Sequence, residues 1–89
     1  MATMNENTAL EVASKAIRPY IVSKLTRKTP IKERLTEMSK DEIHDVKMSI
    51  HRYADLAGYT STVSAEFLRQ NCDTLGDLAD EVEDNSREE

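Results

Sequence analysis

An all-α fold is the class this sequence predicts, and three observations predict it. Only two glycines and two prolines interrupt 89 residues. Apolar residues recur at three- and four-residue spacing, and no run of alternating β-branched residues reads as a strand. With 38% hydrophobic and 33% charged residues, the chain makes one small domain with one thin core, too small to enclose a large substrate cavity unaided.

Residues 1–7, MATMNEN, carry no apolar period and read as a disordered lead-in. Thr8 and Glu11 then form a capping box that starts a helix whose apolar face is Leu10, Ala13, Ile17, Ile21 and Leu25, with Tyr20 on its edge. Pro19 interrupts this helix by removing a backbone donor and crowding the preceding turn. Either a kink near Ala16 or two helices abutting at Arg18 is expected. Residues 26–38 form a long connection through Pro30, in which Ile31, Leu35 and Met38 pin the chain to the core.

Ser39 and Glu42 make a second capping box, with Asp41 adding negative charge to the first turn. The helix that follows carries Ile43, Val46, Ile50, Tyr53 and Ala57 as its apolar stripe, broadened by Leu56, and Gly58 ends it. After a turn, GYTST, a short helix over SAEFLRQ is capped by Thr62 or Ser64 and anchored by Val63, Phe67 and Leu68. Thr74 and Asp77 cap a last helix with Leu75, Leu78, Ala79 and Val82 on its apolar face. Residues 84–89 then read as a mobile, acidic tail.

The net charge of −5 is unevenly spread: residues 1–40 hold eight Lys or Arg against four acids, and residues 41–89 hold four against thirteen. The acidic half repels nucleic acid and favours a basic protein surface as partner. No apolar stretch is long enough to span a bilayer, so a cytoplasmic protein with no membrane partner is expected, and a monomer. The lone Cys72 has no second cysteine for a disulfide or metal pair, and it reads as a small buried residue.

The stretch Leu35, Thr36, Glu37, Met38, Ser39, Lys40, Asp41, Glu42, Ile43 resembles the L-t-e-l-G-x-D-S-L pattern that opens the second helix of acyl carrier proteins and peptidyl carrier domains, fitting in type except at Ser39 and Glu42. Downstream, VSAEF resembles the family's entry into its third helix, and DTLGDLADEVE resembles the T-V-G-D-L-x-x-x-V segment of its fourth. The resemblance implies an acyl-carrier-protein-like four-helix bundle over residues 8–83, with a long loop between helices 1 and 2 and a short helix 3. It places Glu42 where the family's serine is joined to 4′-phosphopantetheine.

Glutamate has no hydroxyl to phosphorylate, so no cofactor is expected on this chain; 4′-phosphopantetheine enters only if position 42 is a serine in the natural protein or another site is used. The resemblance implies a protein-contact surface at the loop and second helix, made of Ser39, Asp41, Glu42, Ile43, Asp45, Val46 and Lys47. Its partners would be enzymes of a fatty acid, polyketide or peptide pathway. Asp41, Glu42, Asp45 and Asp55 keep part of the family's acidic docking face, while His44, Lys47, His51 and Arg52 dilute it.

Two alternatives stand beside this expectation. One is a working carrier whose attachment residue was replaced by engineering or displaced; Ser39, three residues upstream, would lie in the loop and is better explained as a cap. The other is a small helical regulatory or nucleic-acid binder using the basic stretch from Lys24 to Lys40, which lacks interleaved aromatics. His44 and His51, seven residues apart, are too far apart along a helix for joint metal ligation. The Ser, His and Asp residues have simpler capping or solvent-facing explanations, and no glycine-rich phosphate loop is present. No catalytic residue is assigned, and an enzyme is not expected.

Overall fold

A computed structural model describes residues 4–89. Its elements run α1 (Glu6–Ile17), α2 (Lys32–Glu37), α3 (Lys40–Leu56), β1 (Tyr59–Ser61), α4 (Ala65–Gln70), α5 (Leu75–Asp84) and β2 (Ser86–Glu88). The fold is therefore mostly helical, as expected, with a two-stranded sheet that was not.

Helix α1 begins earlier than the Thr8–Glu11 pair predicts. Asn5 is its N-cap, with the side-chain oxygen accepting the Thr8 amide at 2.8 Å. Met4, just before the cap, is buried with Ala9 in the same core cluster, and these are the two positions of a hydrophobic staple. Of the lead-in expected to be disordered, residues 1–3 lie outside the described residues, while 4–7 are the cap and first turn.

At Pro19 the chain neither kinks nor starts a second helix. Helix α1 ends at Ile17, because Pro19 has no amide to continue the ladder, and a turn closes with Tyr20 N–H donating to Ile17 O at 2.9 Å. Ile21 and Leu25 reach the core half-buried from the connection instead of from the helix.

That connection is bound to the start of α5. Arg27 O accepts the Gly76 amide at 2.8 Å, Thr29 O accepts that of Leu75 at 2.9 Å, and Asp73 O accepts those of Ile31 and Lys32 at 3.0 and 3.2 Å. The approach at Gly76 leaves no room for a side chain, since a Cβ there would lie 2.7 Å from Arg27 O. The Arg27 guanidinium adds an ion pair to Asp80 at 2.6 Å and lies 3.4 Å from Glu6, tying loop, α5 and α1 together. Ile31, Leu35 and Met38 are each 2% exposed or less, as the spacing predicts, but the segment between them coils into α2 instead of remaining loop.

Helix α3 is built as predicted at its start, with both bonds of the Ser39–Glu42 capping box present. Its buried face is Ile43, Val46, Ile50 and Ala54. Tyr53 is half-buried, whereas Ala57 and Leu56, expected on the apolar stripe, are exposed, Leu56 at 73%. Gly58, at φ +90°, stops the helix in the left-handed conformation that glycine alone adopts cheaply. Ser64 caps α4 and the Thr74–Asp77 box caps α5, whose face of Leu75, Leu78, Ala79 and Val82 is buried as expected.

The C-terminal segment does not trail off. Asn85 closes α5, and β2 pairs antiparallel with β1 in the register Tyr59–Glu88, Thr60–Arg87 and Ser61–Ser86. Ser61 and Ser86, 6% and 1% exposed, face the core with side chains too polar to signal a strand. Helices α1, α3 and α5 make the most extensive packing, and the radius of gyration of 11.7 Å matches the ~12 Å of a compact domain this size.

Candidate functional site

The α2–α3 junction is where a sequence-predicted site meets a defined local geometry. Met38 is buried and extended, so the backbone leaves α2, turns at Ser39 and enters α3 at once. Ser39 Oγ accepts the Glu42 amide at 3.2 Å, and the Glu42 carboxylate accepts the Ser39 amide at 2.9 Å. That backbone bond is the main reason the Glu42 carboxyl is held below its usual range, with Ser39's hydroxyl and Arg34's charge helping and partial desolvation opposing. At position 42 a capping carboxylate, its ionised form favoured, stands partly exposed at the surface.

The other predicted contact residues divide in two. Ser39, Asp41 and Asp45 are exposed, and Glu42 and Lys47 are partly so. Ile43 and Val46 are 2% and 0% exposed, which removes them from any contact surface. Their place in the stripe of three- and four-residue spacing puts them on the core side, where burial of an aliphatic side chain is worth ~1.5–3 kcal/mol.

The opposite side of α3 adds Met48 and Leu56, which sequence reasoning did not place at the surface. Asp41, Asp45, Met48, Arg52 and Leu56 follow one another at helical spacing along the solvent face, with Met48 48% exposed and Leu56 73%. The apolar stripe expected for this helix does not include Met48. The readable signal was its position, two residues from both Val46 and Ile50, hence on the far side of the helix. The resulting strip mixes two apolar side chains with charges of both signs.

His51 and His44 do not act together. His51 Nε2 lies 3.3 Å from Val63 O, joining α3 to the segment before α4, while His44 faces solvent. Among the described residues no cluster of three or more His, Cys, Asp or Glu is placed to hold a metal ion. The Cys72 thiol is buried, as expected, and burial foremost, then the charges of Asp77, Asp73 and Glu81, pushes its pKa up to about 12. It is a packed group with little thiolate at neutral pH.

Much of the basic stretch is engaged within the molecule. Arg27 pairs with Asp80, and Lys32 lies 3.4 Å from Asp73. Arg34 donates from Nε to Tyr20 O at 3.1 Å and lies 5.7 Å from the Tyr20 ring centroid. No helix among the described residues is long and apolar enough to cross a membrane. Compared with protein-family models, with curated proteins and with solved structures, the chain matches none.

Proposed function

We propose that this chain is a carrier-protein-like interaction module, related in design to acyl carrier proteins, whose attachment position is filled by Glu42 and which acts through protein contacts without carrying phosphopantetheine. Helices α1, α3, α4 and α5 would stand for the family's four, with α2 a short turn inside the long first connection and the β1–β2 pair an addition. The observation that carries this is the start of α3. A long, tethered connection delivers an exposed, doubly capped helix start, with a carboxylate at the position the family resemblance gives to the modified serine.

The contact surface is then Ser39, Asp41, Glu42, Asp45 and Lys47, extended by Met48 and Arg52, with Ile43 and Val46 acting from beneath as the packing that fixes the helix. A pathway of acyl, polyketide or peptide assembly is the setting this design suits. Against a nucleic-acid binder stand the internal pairings of Arg27 and Lys32, which withdraw charge from the basic stretch.

The test is intact mass after incubation with coenzyme A, magnesium and a broad-specificity phosphopantetheinyl transferase, for the unaltered chain and for Glu42→Ser. A gain of one phosphopantetheine in the variant alone is expected. A gain in the unaltered chain would make it a working carrier, and no gain in either would remove the carrier relationship.

A further inference from the structure

Between α1 and the end of α3, beside β1, lies a groove of about 410 Å³, within the ~300–1,000 Å³ of small-molecule sites. Buried Val12 lies at its base, and Tyr53 and Tyr59, both half-buried, line it with Leu56. The spacing of α3 puts Tyr53 and Leu56 on its apolar stripe, but the buried face of the helix stops at Ala54. Leu56 is left uncovered at 73% exposure.

The charged side of the groove is a single ion pair, Lys15 Nζ to Glu11 Oε1 at 2.9 Å. The same ammonium lies 5.7 Å from the Tyr53 ring centroid, inside the ~6 Å at which a ring face attracts a cation. Glu11's hydrogen bond, then its charge, holds the Lys15 pKa above its usual value, so this corner favours a positive charge. Lys15 and Tyr53 also line an adjoining groove of about 320 Å³ with Arg18 and Pro19, so the lysine side chain lies across a seam that continues on its far side.

The pair opens easily. Its side chains are 53% and 64% exposed, and solvent screens such a contact, so swinging Lys15 aside costs little. What the lysine leaves is a ring face beside a carboxylate, next to uncovered apolar surface. A primary ammonium suits this place poorly, because its three donors need more acceptors than Glu11 offers. A nitrogen that carries only carbon substituents has no donor to satisfy and can bury its methyl groups against Leu56 and Tyr59.

We infer that this groove is a binding site for a small quaternary ammonium compound, its cationic head on the Tyr53 ring beside Glu11, in the place Lys15 now takes, and its methyl groups against Leu56 and Tyr59. The site lies at the far end of α3 from position 42, and it stands whether or not the chain is carrier-like.

Amide chemical shifts of isotope-labelled protein, titrated with choline, with its uncharged isostere bearing carbon in place of nitrogen, and with ethanolamine, test it. Choline is expected to give saturable shifts centred on Glu11, Lys15 and Tyr59 at millimolar concentration. The isostere, lacking the charge, should need about fivefold more, and ethanolamine should not saturate. Lys15→Gln should lower the choline half-saturation about threefold or more, because the seat no longer has an occupant to displace; a lysine with a purely structural role would leave it unchanged or raise it. Tyr53→Leu, made in that variant, should raise it about fivefold or more, and Tyr59→Leu repeats the test should Tyr53→Leu disturb the fold. The proposal is overturned by shifts that do not saturate or are centred elsewhere, by the isostere or ethanolamine binding as well as choline, by a half-saturation that Lys15→Gln fails to lower, or by one that neither tyrosine variant raises.

Discussion

Glu42 shows how one side chain serves a local structural need at a position where the resemblance expects chemistry. Its carboxylate closes the capping box, and that bond lowers its pKa below the ordinary 4.5. A depressed carboxyl contributes stability that is fully present above the unfolded value and is lost as pH falls through the folded one. Urea midpoints at pH 7 and pH 3 should therefore draw together in Glu42→Gln, which keeps the capping geometry without the charge. An equal acid loss in both proteins would show that other carboxylates carry the effect. Cys72 has the opposite sign: its pKa is raised, so its contribution holds below the ordinary 9 and is lost as pH climbs toward 12. A disulfide reagent at pH 8 should label it slowly in the native protein and rapidly in denaturant. Fast native labelling would mean that the α4–α5 corner opens readily.

At the scale of elements, the most legible helices were those with both a cap and a stripe. Ser39–Glu42 and Thr74–Asp77 fixed the starts of α3 and α5, and the spacing of Ile43, Val46 and Ile50 fixed a buried face. The start of α1 was misread because Asn5 and Thr8 both fit the cap, and the burial of Met4 that accompanies Asn5 is a tertiary fact. Helix α2 was hidden by its brevity behind Pro30, and β1 and β2 by strands of three residues with little apolar content. The connection before α2 holds its course by backbone contact with α5, most tightly at Gly76. Gly76→Ala should destabilise the protein by about 1–3 kcal/mol, since backbone must shift to admit the methyl group. Ala at Gly58 meets no neighbour and is penalised only by its positive φ, which makes it the control. An unchanged melting temperature in Gly76→Ala would show that the connection is looser than its hydrogen bonds imply.

Across the whole molecule, the charge asymmetry of the sequence is used partly inside the fold. Part of the basic first half folds against the acidic second half, through Arg27 with Asp80 and Lys32 with Asp73. Such exposed pairs are screened by solvent, so they orient the connection more than they hold it. The solvent side of α3 carries a mixed strip of Asp41, Asp45, Met48, Arg52 and Leu56. The candidate site was thus half legible: its position, its caps and the stripe that turns Ile43 and Val46 inward followed from local sequence, but the resemblance counted those two in a contact surface from which the fold removes them.

The measurement that bears most directly on the proposed module is the initial rate of phosphopantetheine transfer to Glu42→Ser, with and without Asp45→Lys and Met48→Ser on the adjoining face. These two side chains are exposed, so the fold should be unchanged. A rate at least about tenfold lower, equivalent to ~1.4 kcal/mol of recognition, is expected if this face is where partner enzymes dock. Equal rates, or no transfer to Glu42→Ser at all, would contradict it.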